Sequence, residues 1–462
     1  ILNGRGLVAL VFTLFSGWML SFPYEGQILY AFAAAEGVDP QRLILGAIAA
    51  HIAGLFVCGF IVRSVAAAKR LMLGAASLCF TASALFYVLP AALWAAVLLP
   101  TAFLAGLWVS AWGWFLKVCM PKEFRLSVIA GSLACSTLLM TPLNMTAVNL
   151  SPRLGLGFAL LALLGSLPLT LRLPADIQSK RSGVRAQASA ERAQSITKPL
   201  FFLCLFIAVI TINAGLMFKV INPAFAHLKA FASWYWGVPY IAAVIIVALL
   251  PKSVPKSYIL YAAIAMIGLS FIAFFMLDRS ALSYFIINTL LLGACGVNDL
   301  FWWSILGEML DFHENPARIL GLGLSVNVAG VLTGELIAPA TEALGGASGP
   351  SLLGLTIVCV ALVILPILNG CLMSVMKGHA FLVTLQNLPP GEREQAVRSF
   401  AGDGVLTERE GEIAGLLLKG YTYRLIAQEL YLSESTVKTH IQNIYGKLNV
   451  RNKTELIQTL AK

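Results

Sequence analysis

One short stretch of the 462-residue chain combines side chains that could contact nucleic acid. From Leu432 to Leu448, apolar residues recur at helical spacing at Val437, Ile441, Ile444 and Leu448. The opposite face is narrow and mostly polar, with Ser435, Thr439, Gln442 and Gly446, flanked by Lys438 and Asn443. It carries no acid. A helix of this kind fits the DNA major groove; the pattern alone also permits a solvated helix of a small bundle.

Neighbouring residues predict three further short helices around this one. Thr407 and Glu410 have the spacing of a capping box, and Gly420 ends the helix that follows. Leu425, Ile426 and Leu430 mark a second helix, and Ser433 is the predicted N-cap of the third. A last helix is predicted to open at Arg451 to Thr454, with Leu456, Ile457 and Leu460 as its apolar residues. Four short helices of this kind predict a helix-turn-helix domain.

The chain at this point resembles the LuxR/FixJ-type helix-turn-helix family over roughly residues 404–462. The motifs are Leu406-Thr407-x-Arg409-Glu410, Gly420 followed by Ile426-Ala427-x-x-Leu430, Ser433-x-x-Thr436-Val437-Lys438-x-His440, and Asn443-Ile444-x-x-Lys447-Leu448. The resemblance implies that Ser433 to Lys447 is the recognition helix and that the last helix dimerises the domain. It also implies that Lys438, Thr439 and Gln442 face bases or phosphates. The full predicted DNA-binding set is Thr436, Lys438, Thr439, Gln442, Asn443, Lys447 and Arg451.

The remaining chain has the composition of an integral membrane protein. Hydrophobic residues make up 59% of the sequence, charged residues only 12%, and the mean hydropathy is +0.84; soluble proteins have about 25% charged residues. Residues 1–376 hold 21 Lys/Arg against 13 Asp/Glu. Most of the net charge of +10 therefore lies in the membrane part. It is explained by membrane topology before nucleic-acid binding is considered.

Apolar segments predict about twelve membrane spans. The first is interpreted as a span rather than a signal peptide, because no cleavage site followed by a soluble domain is evident. The predicted spans are 7–26, 42–62, 71–89, 92–116, 126–147, 154–171, 200–219, 234–250, 258–277, 281–303, 319–338 and 351–375. One set of connections carries sixteen Lys/Arg and the other five, which predicts that the first set and both termini are cytoplasmic.

A basic connection from Pro174 to Lys198, predicted to be flexible, divides six spans from six. Pro121-x-x-x-Arg125 after the fourth span parallels Pro316-x-Arg318 after the tenth. Two six-span halves around a basic loop resemble the major facilitator superfamily over about residues 1–376. The superfamily's acidic-glycine signature between spans two and three is absent, which argues mildly against active transport.

Polar side chains inside spans are the candidates for a small-molecule site, because a centred charge costs about 3 kcal/mol on insertion scales. Asn in spans often only joins helices, and Trp favours interfaces, so structural roles stay open. Gly330-x-x-x-Gly334 is interpreted as a helix-packing motif. No catalytic set, cofactor motif or metal-ligand spacing is found, and we predict that the protein is not an enzyme. The predicted ligand contacts are His51, Glu335, Asn213, Asp299 and Trp112.

The sequence thus predicts an all-α protein with three parts. A polytopic bundle of about twelve spans, six and six, occupies residues 1–376, a linker 377–403, and a four-helix LuxR-type domain 404–462. We predict a transcription regulator of the cytoplasmic membrane, in which the bundle senses a small molecule and the cytoplasmic domain binds double-stranded DNA as a homodimer. The alternative is a transporter with a DNA-binding regulatory tail.

Overall fold

The computed structural model describes residues 4–24, 26–175, 184–250, 256–387, 406–418, 421, 423–448 and 450. All regular elements in this described part are helical. The chain divides into two compact units, residues 1–183 with 192–368 and residues 184–191 with 369–462.

The larger unit is a bundle of long apolar helices. Its first half contains α1 (Gly4–Ser21), α2 (Gln27–Ala35), α3 (Gln41–Ile61), α4 (Val65–Ala84), α5 (Trp94–Cys119), α6 (Lys122–Asn149) and α7 (Pro152–Leu171). The second half is built from α8 (Val184–Leu216) after residue 191, α9 (Gly237–Leu249), α10 (Lys256–Met276), α11 (Ala281–Met309), α12 (Pro316–Gly345) and α13 (Gly349–Asn387) up to residue 368.

Eleven helices in the described residues are long and apolar enough to cross a membrane. The predicted span at 234–250 is the exception, because residues 233–236 form a turn and α9 has only 13 residues. At about 1.5 Å per residue, α9 is roughly 20 Å long, against about 30 Å of bilayer hydrocarbon. The all-α fold with many spans is confirmed, and the eighth predicted span is shorter than the sequence pattern indicated.

Three helical segments differ from the expectation. The short helix α2 was not predicted, and it buries Ile28, Leu29 and Phe32. The connection predicted to be flexible is helical from Val184 onward. The last bundle helix continues past residue 376 to Asn387, because no proline interrupts the chain between Pro366 and Pro389. The rest of the predicted linker, 388–403, lies outside the described residues.

Close helix contacts hold each half together. A methyl group added at Gly106 on α5 would overlap backbone atoms of His51 and Leu55 on α3. In the second half, Gly330 and Gly334 lie against the backbone of α8, where any side chain would collide. The interpretation of Gly330-x-x-x-Gly334 as a packing motif is therefore confirmed. Small residues at such contacts let helices approach without a hydrophobic driving force between them.

The carboxy-terminal unit contains the three predicted helices that fall on described residues: α14 (Glu408–Leu418), α15 (Tyr423–Glu429) and α16 (Glu434–Lys447). Both bonds of the predicted capping box are present: Thr407 N donates to Glu410 Oε2 at 2.8 Å, and Glu410 N donates to Thr407 Oγ1 at 3.3 Å. The buried core joins all three helices and includes Ile413, Leu417, Ile426, Val437, Ile441 and Ile444. The predicted fourth helix lies outside the described residues.

Candidate functional site

The recognition helix α16 starts where the sequence predicts. Ser433 Oγ accepts a hydrogen bond from Thr436 N at 3.0 Å, which caps the helix. Val437, Ile441 and Ile444 are at most 1% exposed, so this stripe fixes α16 against the core. Since the stripe recurs every three to four residues, the opposite face must point away from the domain.

Five of the predicted DNA-binding side chains lie on that outward face. They are all exposed: Thr436, Lys438, Thr439, Gln442 and Asn443. The group offers one cation, two amides that can pair with base edges, and two hydroxyls suited to phosphate oxygens. Arg451, the seventh predicted residue, lies outside the described residues. The geometry is that of a helix that can enter a major groove, and the individual contacts stay predictions.

Lys447, the sixth predicted DNA-binding residue, has a partner inside the domain. Its Nζ donates to Glu410 Oε2 at 2.7 Å, while its side chain keeps 39% exposure. Glu410 also completes the capping box of α14, so one carboxylate joins the start of α14 to the end of α16. The sequence predicted a capping role for Glu410 and a DNA contact for Lys447, but it did not indicate the bond between them, which joins residues 37 positions apart.

The pair gives the domain a pH-dependent stability. Burial raises the pKa of the Glu410 carboxyl, but hydrogen bonds from Lys447 and Thr407 outweigh it, and the pKa lies below its ordinary value. A lowered carboxyl pKa stabilises the fold above the unfolded value of about 4.5, and this contribution disappears as the pH falls through the folded pKa. We expect the unfolding free energy of Glu410→Gln, measured over acid pH, to lack this pH-dependent component. The exposed Glu412→Gln is the control, and an equal change in both variants would contradict the expectation.

Tyr431 forms the turn before the recognition helix in a strained conformation. Its φ is +54° and its side chain is 96% exposed. An aromatic residue in the left-handed region costs on the order of 1 kcal/mol, and this ring has little packing to lose. We expect Tyr431→Asn to raise the unfolding free energy of residues 404–462 by about 0.5–1 kcal/mol in urea titration, since Asn tolerates this region. A destabilised Asn variant would show that the exposed ring stabilises the fold.

The predicted ligand contacts in the bundle differ in their hydrogen bonding. His51 Nδ1 lies 3.1 Å from the Ala102 backbone oxygen and joins α3 to α5. Asn213 is buried with no partner on its amide among the described residues, and Glu335 Oε1 is likewise unpaired there. His51 thus has a helix-packing role, whereas Asn213 and Glu335 keep unused hydrogen-bonding capacity.

The other two candidates lie on helices that meet between the halves. Trp112 Nε1 donates to the Val8 backbone oxygen at 3.1 Å, so this indole joins α5 to α1. Asp299 Oδ2 accepts from Tyr240 Oη at 2.8 Å, so this carboxylate joins α11 to α9. Both side chains therefore have structural partners as well as a possible ligand role.

A polar cluster joins the two halves at the end of the bundle where α5 ends and α6 begins; we call it the latch. The guanidinium of Arg125 is 5% exposed and forms a bidentate pair with Asp311, with both bonds at 2.8 Å. Its remaining N–H groups donate to the backbone oxygens of Met120, Lys117 and Gly307. All five guanidinium N–H groups are thus satisfied.

Two further residues complete the latch. Lys117 Nζ donates to the His313 backbone oxygen at 2.7 Å, and Asn315 Nδ2 donates to the backbone oxygens of Gly59 and Val62, each at 2.8 Å. Each of these bonds runs between the first and the second half. Residue spacing could not indicate these bonds, because the partners of Arg125 and Lys117 lie nearly 200 residues away in the chain.

Residues 404–460 match the family model described as bacterial regulatory proteins, luxR family. The MalT transcriptional regulator of Vibrio cholerae is 46% identical over 54 residues, which are 12% of this chain and 6% of that protein. The DegU regulatory protein of Brevibacillus brevis is 45% identical over 53 residues, 12% of this chain and 22% of its own. The chain therefore spans less than a quarter of either of these relatives.

The bundle resembles solved transporters in fold. The human organic anion transporter MFSD10 matches with a TM-score of 0.61 and 15% identity, over 79% of this chain and 100% of its own. The major facilitator superfamily transporter FucP matches with a TM-score of 0.56 and 14% identity, over 78% and 98%. The protein thus combines a LuxR-type helix-turn-helix domain with a membrane domain of the major facilitator fold.

Proposed function

We propose that this protein is a membrane-bound one-component transcription regulator. The observation that carries the proposal is the exposed polar face of α16, in a domain of the LuxR type, on a chain with many membrane-spanning helices. The positive-inside distribution supports a cytoplasmic carboxy terminus in the cell membrane, where the domain can reach DNA. On this account the domain binds its operator as a homodimer through its last helix, and the protein has no enzymatic activity.

The bundle acts in this proposal as the sensor of a small molecule. A ligand changes operator occupancy only if it binds two arrangements of the bundle unequally. The latch is a suitable two-state element, since its bonds join the halves at one end and would break if the halves separated there. MalT and DegU are described as regulators, which supports the role of the domain, although neither covers the bundle.

The alternative is a transporter with a regulatory DNA-binding tail. It is favoured by the fold likeness to proteins described as transporters. The two functions differ in what crosses the membrane. Vesicles that contain the purified protein would accumulate a transported substrate, whereas a pure sensor would bind the same compound without accumulation.

Genome-wide cross-linking of the full-length tagged protein tests the proposed function. We expect a small number of DNA sites that are recovered with the membrane fraction and lost in a Lys438→Glu variant. Recovery of the same sites with both proteins, or of none with either, would contradict it. Genes beside the recovered sites would then indicate the inducer.

A further inference from the structure

We propose that Asp299 and the aromatic side chains next to it bind a small organic cation such as an amine or a quaternary ammonium compound. The inference rests on the proposed function, because it names the ligand class of the sensing bundle. Three features of the described residues carry it: a carboxylate that no cation there neutralises, aromatic rings one helical turn away, and an indole N–H that has no partner there.

The carboxylate of Asp299 lies inside the bundle, and no basic side chain of the described residues pairs with it. Asp299 lies well inside the 29-residue helix α11, and part of its side chain remains exposed. Among the described residues its polar contact is the hydroxyl of Tyr240, at 2.8 Å. No Lys or Arg side chain forms an ion pair with it in this part of the chain. A carboxylate at such depth is costly unless a cation accompanies it or it takes up a proton.

Aromatic rings from three helices meet one turn of α11 away from this carboxylate. Trp303 follows Asp299 by one turn of α11, so the two side chains lie on the same face of the helix. The Trp303 ring meets Phe12 of α1 at 5.6 Å and Trp112 of α5 at 6.2 Å, both edge to face. Phe12 and Trp112 are themselves 4.5 Å apart. Aromatic faces attract cations, and they do so most strongly where water is excluded.

An indole nitrogen near these rings has no hydrogen-bond partner in the part of the chain that the structure describes. Trp108 is fully buried, and its Nε1 has no partner among the described residues. Its ring lies 6.3 Å from Phe12 and precedes Trp112 by one turn of α5. A buried donor without a partner is unfavourable, so a bound molecule that offers an oxygen here would be stabilised by the new hydrogen bond. The site therefore fits a cation that also carries a hydroxyl or carbonyl group.

The competing explanation is that Asp299 carries a proton and only fastens α11 to α9 through Tyr240. With that arrangement, the affinity of the site would not depend on the charge of the ligand. The two explanations differ in how the protein treats a permanent cation and an uncharged molecule of the same shape. Choline and phenyltrimethylammonium have such neutral isosteres, dimethylbutanol and tert-butylbenzene, in which a carbon atom replaces the nitrogen.

Isothermal titration calorimetry of the full-length protein in lipid nanodiscs tests the proposal with these four probes. We expect saturable binding of at least one cation, at least about tenfold tighter than its neutral isostere. Asp299→Asn, which can still accept from Tyr240, should weaken cation binding by about tenfold or more. Trp303→Phe should retain most of the affinity, and Trp303→Leu should lose about three- to tenfold. Glu342→Gln, an exposed acid at the end of α12, is the matched control and should change nothing.

Equal binding of a cation and its isostere, cation binding that survives Asp299→Asn, or no binding of either cation would overturn the proposal. Operator binding is measured on the same samples, so the two failures can be told apart. Absence of cation binding with intact operator binding rejects the ligand class alone. Cation binding without operator binding rejects the proposed regulatory function.

Discussion

Replacing Lys438 by Glu should remove operator binding while the domain stays folded. Lys438 is exposed beside Thr439 and Gln442 on the outward face of α16, away from the buried stripe. A carboxylate placed there faces the phosphate backbone, and such a like-charge contact costs several kcal/mol, or roughly a hundredfold or more in affinity. The neutral variant Lys438→Gln should lose less operator affinity than Lys438→Glu. The slope of its affinity against salt concentration should fall by about one phosphate contact. Fluorescence anisotropy with an operator duplex at several salt concentrations measures both.

Two controls separate this effect from misfolding. The unfolding free energy of Lys438→Glu should stay within about 0.5 kcal/mol of the parent, as for most exposed substitutions. Glu412→Gln changes an exposed charge on α14, and it should leave affinity and salt dependence nearly unchanged. Operator binding by Lys438→Glu at the parental affinity would show that α16 is not the element that enters the groove.

Truncation of Arg125 to Ala should destabilise the bundle by about 3–5 kcal/mol. The change removes five hydrogen bonds and leaves the Asp311 carboxylate without its bidentate partner. The double variant Arg125→Met with Asp311→Leu should recover most of the loss, because an apolar pair of similar volume leaves no unpaired charge. Thermal unfolding of the full-length protein in detergent measures this effect. The midpoint temperature of Arg125→Ala should lie below those of the double variant and the parent.

Arg318 is the matched control for the latch. It occupies the corresponding position in the second half, but it is exposed, and its guanidinium lies 5.4 Å from the Phe60 ring. Such a contact contributes about 0.5–1 kcal/mol, so Arg318→Ala should be mild. If Arg125→Ala were no more destabilising than Arg318→Ala, the latch would not hold the halves together. A ligand that separates the halves should then act independently of Arg125.

The helix-turn-helix domain was predictable in detail because its determinants are local. The capping box at Thr407 and Glu410, the N-cap at Ser433 and the stripe through Ile441 each involve residues within one helix or its cap. Helix periodicity and capping chemistry depend on spacing alone, and the structure reproduces them. Eleven of the predicted spans were predictable for a similar reason, since length and apolarity decide whether a helix can cross a bilayer, whereas the helix in the predicted span 234–250 is shorter than expected.

Contacts between distant elements could not be read from spacing. Arg125 was predicted only as part of a motif at a span end, whereas its partner Asp311 comes from the other half. Lys447 was assigned to DNA from its place on the recognition helix, but the fold gives it Glu410 as a partner. His51 was a candidate ligand contact because it is polar and deep, and the structure places it against the Ala102 backbone. In each case the partner comes from a distant part of the chain and could not be read from local spacing, while the predicted DNA contact of Lys447 and ligand contact of His51 stay predictions.

The proposed function is tested most directly by determining which side of the membrane carries the DNA-binding domain. A fluorescent reporter that matures only in the cytoplasm and a phosphatase that is active only outside it can each be fused after Lys462. We expect fluorescence from the first fusion and no phosphatase activity from the second. Phosphatase activity with a dark fluorescent fusion would place α16 on the side without DNA and would contradict the proposal that this protein regulates transcription.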